Sequence, residues 1–341
     1  MTPTPADDPN LRPAAVVAAG SAEPDAVEPE ADAAADPHAR RHTQWVVVGL
    51  VVGSYLAFWW AGNVLGIPAQ RGYDGSLLGQ PGTTSAVAFL AAAGLAGAVT
   101  AIASLVIGRA WLPAGPLAAA AGLAAWSFRA GPIRDTILSA DVAHVSTAVF
   151  YRLAVELALL ALLVGACWLL LLPQFENRLV PPDRRFRLRF TAGTAQALLA
   201  QAALTGVGVL LLVPNAEKKQ AVFGVMTAAF VATSIVHHQA KDETAMRLYW
   251  VGPVLVGLVG YVATALGGHA AEAVETGRLV GGVAALARPL PLDYVGAGGV
   301  GVVIGLAMTA DDWHVARAYA VGGVVHAVKT SRRINDATAD E

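Results

Sequence analysis

Two charged residues inside an apolar stretch are the first candidates for chemistry in this chain of 341 residues. Arg152 and Glu156 stand four positions apart, so they lie on one face of a helix. A charge in the middle of a membrane costs about 2.5–3.5 kcal/mol on the insertion scale, and a charge retained there usually has a use. The pair predicts either a structural ion pair near the membrane interface or a carboxylate that binds a proton or a substrate inside a helical bundle.

Two amides in the next apolar stretch are the second candidates. Gln196 and Gln201 carry groups that form hydrogen bonds between membrane helices, typically for about 0.6–2 kcal/mol each. Such bonds between helices are the simpler interpretation, and the lining of a polar substrate site is the alternative. Under that alternative, Arg152, Glu156, Gln196 and Gln201 would form the substrate-binding cavity of a permease.

The stretch HHQAKDE is the segment that most resembles a metal site. His238 and Asp242 would share a helix face, with His237 beside them, and catalytic zinc commonly uses three such ligands and a water molecule. The established helical signature HExxH is absent, however. Histidines at the end of a helix are also favoured by the helix dipole. We therefore keep metal binding as an alternative and expect no cofactor.

The composition indicates the kind of fold that holds these residues in place. The chain is 55% hydrophobic and 14% charged, whereas ordinary soluble domains carry about 25% charged residues. Eight stretches approach the length of about 20 apolar residues that a helix needs to cross a bilayer. The sequence thus predicts an all-α fold, a polytopic transmembrane helical bundle. The predicted spans are Gln44–Ile67, Ala86–Gly108, Trp111–Phe128, Val149–Pro173, Phe190–Val213, Gln220–His237, Leu248–Gly267 and Leu292–Thr309.

The chain divides by composition into three regions. Residues 1–43 are acidic and rich in Pro and Ala, and we expect them to form a disordered tail because they offer little apolar surface to bury. Residues 44–309 form the bundle, and residues 310–341 are expected to form a cytoplasmic amphipathic helix and a polar tail. Within the bundle region, 131–148 and 269–289 predict one or two interfacial amphipathic helices.

Basic residues predict the orientation. They are concentrated on the side of the N-terminus, which places both termini in the cytoplasm by the positive-inside rule. The abundance of arginine is typical of a GC-rich genome, so we expect the inner membrane of a bacterium. Lys218 and Lys219 oppose the rule, because the predicted topology puts them in an outside turn. Most of the excess of basic residues on the cytoplasmic side comes from one loop, which contains Arg178, Arg184, Arg185, Arg187 and Arg189. This loop could also bind acidic lipid headgroups.

Glycines predict how the spans pack. Gly301 and Gly305 form a GxxxG pattern within an apolar stretch. Small residues let membrane helices approach closely, and van der Waals contact then stabilises the pair. We expect these glycines to pack helices rather than to line a pathway.

Three function classes follow from these patterns, because the sequence has no Walker A motif, no GxSxG motif and no dinucleotide-binding fingerprint. The first is a non-enzymatic membrane component, such as an accessory, scaffold or lipid-organising subunit, favoured by the paucity of buried charges. The second is the permease, and the third is a membrane enzyme that uses His237, His238, Asp242 or Asp311. The expected partners are the lipid bilayer and a membrane protein or a second copy of the chain, not nucleic acid.

Overall fold

A computed structural model of the chain describes residues 37–66, 75–79, 83–107, 114–139, 148–167, 190–215, 217–240, 243–267 and 283–309. These residues form helices and turns and include no strand, which confirms the predicted all-α fold. The chain divides into a unit Met1–Arg40 and a unit Arg41–Glu341. All side-chain contacts described below lie in the second unit.

Ten α-helices make up the described part of the chain. They are α1 (Pro37–Leu65), α2 (Thr83–Ile107), α3 (Ala114–Arg129), α4 (Ile133–Ser139), α5 (Ala148–Ala166), α6 (Ala192–Leu212), α7 (Lys218–Ala240), α8 (Glu243–Leu248), α9 (Val251–Leu266) and α10 (Gly298–Thr309). A 3₁₀ turn, Ala285–Ala287, and a π-helical turn, Asp293–Ala297, precede α10.

Five of these helices are long and apolar enough to cross a membrane: α1, α2, α5, α6 and α7. They correspond to five of the eight predicted spans. The stretch Val251–Leu266 and the stretch Asp293–Thr309 are also apolar but shorter. Helix α3 has 16 residues. Several apolar helices of this kind are consistent with an integral membrane protein.

Large apolar side chains cover the outer surfaces of α1, α2 and α6. Trp60 is 68% exposed, Leu90 is 72% exposed and Leu211 is 74% exposed. Monomeric soluble proteins rarely expose large contiguous apolar patches. These faces are therefore suited to contact lipid.

Helix α3 is enclosed by its neighbours. Every side chain from Ala118 to Ser127 is buried. The indole Nε1 of Trp126 donates a hydrogen bond to the carbonyl oxygen of Phe58 at 2.5 Å, which ties α3 to α1. Ser54 Oγ on α1 donates to the carbonyl oxygen of Ala118 at 2.6 Å. The run of alanines in α3 explains this position, because a helix that is small and apolar on all sides can be surrounded by other helices.

The two glycines of the GxxxG pattern bring α10 against α7. A Cβ atom built on Gly301 would lie 2.2 Å from the carbonyl oxygen of Met226. One built on Gly305 would lie 2.8 Å from the carbonyl oxygen of Phe230. No larger residue fits at the first position without moving a backbone, so the prediction that these glycines pack helices is confirmed.

The first of the predicted amphipathic segments contains a helix, α4. Ile133 and Ile137 are buried in the hydrophobic core, whereas Arg134 is exposed. The helix is amphipathic as predicted, but its apolar side packs on the protein core. In the second segment the structure describes only 283–289, where Val283 and Ala287 are buried.

Several predictions concern residues outside the described ranges and therefore stay predictions. They are residues 1–36 of the predicted tail 1–43, the arginine loop with Arg178, Arg184, Arg185, Arg187 and Arg189, the candidate metal ligand Asp242, the stretch 269–282, the candidate catalytic residue Asp311 and the tail 310–341. The remaining residues of the predicted tail, 37–43, lie in α1.

Candidate functional site

A buried ion pair joins the start of α7 to the turn that precedes α10. Lys218 is 9% exposed and Asp293 is fully buried. The Lys218 ammonium Nζ lies 2.5 Å from Asp293 Oδ1. The predicted topology puts Lys218 in a turn on the outside, and this side of the membrane stays a prediction. In the structure its ammonium points into the protein, where Asp293 compensates for the loss of hydration.

The Asp293 carboxylate is held by three elements. Ser127 Oγ, near the end of α3, donates a hydrogen bond to Oδ1, the same oxygen that Lys218 contacts. The backbone N–H of Leu290 donates to Oδ2 at 2.8 Å. Helical structure begins at Pro291, and an acidic side chain in the first turn commonly reaches back to an N–H that the helix leaves free. Local sequence therefore explains the carboxylate's orientation.

Two tyrosines fix the segment 283–290 beside this pair. Tyr261 on α9 donates its hydroxyl hydrogen to the carbonyl oxygen of Pro289 at 2.5 Å. Tyr294, in the π-helical turn, donates to the carbonyl oxygen of Leu286 at 2.5 Å. The two rings meet edge to face with centroids 6.3 Å apart. Single π-helical turns within α-helices are frequent at functional sites, and here the turn carries Asp293 itself.

Glu156 on α5 extends this polar region. Its side chain is fully buried, and Oε2 accepts a hydrogen bond from the backbone N–H of Leu78 at 3.0 Å. The Glu156 carboxylate also interacts electrostatically with the Lys218 ammonium, more weakly than Asp293 does. We call Glu156, Lys218, Asp293 and Ser127 the charged cluster. It places one ammonium and two carboxylates in the protein interior.

Arg288 links the segment 283–290 to the turn that precedes Lys218. Its Nη1 donates to the carbonyl oxygen of Val213 at 3.1 Å and to that of Pro214. Cationic groups are favoured at the C-terminal end of a helix, and α6 ends here. Burial lowers the pKa of the Arg288 guanidinium from its ordinary value.

The four residues predicted to bind substrate do not share one environment. Glu156 and Gln201 are buried, Arg152 is half-buried and Gln196 is exposed. Gln201 Nε2 donates a hydrogen bond to Thr233 Oγ1 at 3.2 Å, which joins α6 to α7. The predicted hydrogen bond between helices is therefore confirmed for Gln201. Substrate binding by the four residues stays a prediction.

The candidate metal ligands are only partly described. The ring of His237 is half-buried and meets the ring of Tyr249 edge to face, with centroids 6.2 Å apart. His238 is exposed, and Asp242 lies outside the described residues. Within the described ranges, no group of three or more His, Cys, Asp or Glu side chains could hold a metal ion.

Three members of the charged cluster were not predicted as site residues from the sequence: Lys218, Asp293 and Ser127. Asp293 stands at the edge of an apolar stretch, where an interfacial position is the usual interpretation. Lys218 stands beside a second lysine in a short turn. One feature of the sequence could have singled out Lys218: the predicted topology places it on the outside, against the positive-inside rule. Nothing in the sequence pairs Lys218 with Asp293, which are 75 positions apart.

Comparison of the chain with protein-family models, with curated proteins and with solved structures gives no match.

Proposed function

We propose that this protein is a multi-pass permease that moves a small solute across the inner membrane of a bacterium, with the charged cluster as its binding or coupling site. The observation that carries the proposal is the buried Lys218–Asp293 pair, together with the buried Glu156 carboxylate of α5. Ionisable residues inside a membrane are costly and rare, and they commonly mark ion and substrate pathways.

The position of the cluster supports the proposal. Helix α7 begins at Lys218, and the helical stretch that carries Asp293 begins two residues before it. Helix starts expose free N–H groups and the positive end of the helix dipole. Membrane carriers use such helix ends to bind ions and anionic groups of solutes. A charged solute or a coupling ion could exchange with the partners that Lys218 and Asp293 now provide for each other.

The sequence favoured a non-enzymatic component because few charges were expected in the interior. Three buried charged side chains, Glu156, Lys218 and Asp293, weaken that premise. The accessory-subunit prediction remains open, as does the enzyme prediction, since Asp242 and Asp311 lie outside the described residues.

The proposed topology has eight crossings with both termini in the cytoplasm. Five helices have the required length and hydropathy. Helix α3 is shorter, but other helices surround it, so it does not need to match the thickness of the hydrocarbon core. An even number of crossings places the two termini on the same side.

The test separates a functional ion pair from a structural one. Removing one partner of a buried pair costs about 3–5 kcal/mol, whereas replacing both with uncharged residues of similar volume is often neutral. We therefore compare Lys218→Met, Asp293→Asn and the double variant. Each protein is reconstituted into liposomes, and uptake is measured for a panel of radiolabelled amino acids, monocarboxylates and hexoses. Thermal unfolding in detergent is recorded in parallel.

We expect the wild type to accumulate at least one probe. The double variant should unfold near the wild-type temperature but fail to accumulate that probe, because its interior no longer carries the charges. Wild-type uptake by a double variant would contradict the proposal and assign the pair a purely structural role. A wild type that accumulates none of the probes would also count against a permease for these solute classes.

A further inference from the structure

Glu156 connects the charged cluster to a non-helical segment, residues 75–79. The link is the hydrogen bond from the Leu78 N–H to Glu156 Oε2. The same segment is held at Gly75, whose N–H donates to Thr136 Oγ1 of α4 at 3.1 Å. Within the segment, the N–H of Gly79 donates to Ser76 Oγ at 2.9 Å. A change at the Glu156 carboxylate thus acts directly on the backbone of 75–79.

Burial of Glu156 favours the addition of a proton. Its side chain is fully buried, and burial penalises the ionised form of a carboxylate and favours the neutral, protonated form. The carboxylate interacts electrostatically with Lys218 of α7, which is paired with Asp293, and with Tyr261 of α9. Arg152 lies one turn away on α5 and is half-buried.

The chemistry of the cluster favours a proton over a metal ion. Asp293 Oδ1 already accepts from Lys218 and Ser127, and Oδ2 accepts from Leu290. The Tyr261 hydroxyl is committed to a backbone carbonyl. Hard metal cations need about six oxygen ligands or more, and the described residues hold no group that could bind one. A proton needs a single carboxylate oxygen.

We propose that Glu156 is the proton-binding residue of the permease, and that its protonation releases the segment 75–79 by weakening the hydrogen bond from Leu78. Hydrogen bonds to an ionised carboxylate are roughly twice as strong as bonds between neutral groups. The ionised form therefore holds the segment in place, and the neutral form holds it less. The role in transport rests on the proposed function, but proton-dependent release of 75–79 is measurable without any solute.

The experiment is hydrogen exchange of the full-length protein in detergent, read by mass spectrometry over a range of pH. Peptides that contain Leu78 are followed, and their rates are corrected for the intrinsic pH dependence of amide exchange. Three proteins are compared: the wild type, Glu156→Gln, and Glu217→Gln as the matched control. Glu217 is an exposed carboxylate next to Lys218, so its substitution makes the same chemical change at a side chain that is not part of the buried cluster. Peptides from α6 report whether each variant is folded.

In the wild type, protection of the Leu78 amide should fall about tenfold as the pH is lowered through the titration of Glu156. Glu156→Gln imitates the neutral acid, so its protection should be low at every pH, while Glu217→Gln should follow the wild type. Constant protection in the wild type across the range overturns the proposal, even if Glu156→Gln proves unfolded. A folded Glu156→Gln with wild-type protection overturns it as well.

This result is separable from the test of the permease. If exchange at Leu78 follows the ionisation of Glu156 but the Lys218 and Asp293 double variant retains uptake, the proton switch stands and the proposed coupling site fails. If exchange is indifferent to Glu156 while the double variant loses uptake, the permease stands without this switch.

Discussion

Replacing Gly301 with alanine should separate α10 from α7 and destabilise the protein. A Cβ atom at this position would lie 2.2 Å from the carbonyl oxygen of Met226, about 1.2 Å short of the 3.4 Å at which ordinary contacts begin. The obstructing atom belongs to the backbone, so it cannot rotate away as the end of a side chain could. The two helices must therefore move apart over their contact.

The expected loss of stability for Gly301→Ala is the difference between two opposing effects. Overpacking a close contact typically costs about 1–3 kcal/mol. Replacing a glycine inside a helix with alanine recovers about 0.5–1 kcal/mol. Gly97→Ala on α2 isolates the second effect, because a Cβ there meets nothing within 4 Å. We expect Gly97→Ala to be neutral or slightly stabilising, and Gly301→Ala to be less stable than Gly97→Ala by about 1–3 kcal/mol.

The assay is reversible unfolding in mixed micelles with increasing dodecyl sulfate, followed by tryptophan fluorescence. The signal sums eight tryptophans, among them Trp126, which is buried in α3 and becomes exposed on unfolding. Gly305→Ala provides an intermediate case, since its Cβ would lie 2.8 Å from the nearest backbone oxygen. The expected order of stability is Gly97→Ala, then Gly305→Ala, then Gly301→Ala.

Equal stabilities for Gly301→Ala and Gly97→Ala would refute this reasoning. That result would mean that α7 and α10 do not approach as closely as the structure places them. The argument for helix packing through this glycine pair would then have no support.

Two further predictions concern packing and orientation. Gly252→Ala should break the hydrogen bond between Gln201 and Thr233, because a Cβ on Gly252 would lie 1.5 Å from Gln201 Oε1. The double variant Gly252→Ala, Gln201→Ala should regain stability in the same unfolding assay. A double variant that is no more stable than Gly252→Ala would contradict this contact. The topology can be tested with reporters fused after Glu341. Because both termini are proposed to be cytoplasmic, green fluorescent protein fused there should fluoresce and alkaline phosphatase should be inactive. The opposite pattern would contradict the proposed orientation.

The sequence alone determined the class of the protein. Hydropathy is a local property, so an apolar stretch of sufficient length predicts a helix, whatever it later packs against. For this reason all five long apolar helices were predicted, and the predicted bounds of α2, α6 and α7 lie within three residues of the observed ones. The glycine pair at 301 and 305 was also predicted correctly, since its spacing depends only on helical geometry.

The sequence identified Glu156 as a candidate because a carboxylate within an apolar stretch is exceptional. It could not identify the residues that meet it. Lys218 and Asp293 each stand at the end of a helix, where a charge normally faces water. Their burial follows from the tertiary arrangement, in which Ser127 on α3 and the segment 283–290 enclose the pair.

The tertiary structure also decided which helix faces are exposed and which are buried. Most predicted spans are apolar on all sides, so periodicity could not separate an inner face from an outer face. Most side chains of α3 are buried, whereas Trp60 and Leu211 remain on the surface. The sequence specifies which segments are apolar, but the position of a charge depends on contacts between residues far apart in the chain. The pairing of Lys218 with Asp293 is therefore visible only in the folded protein.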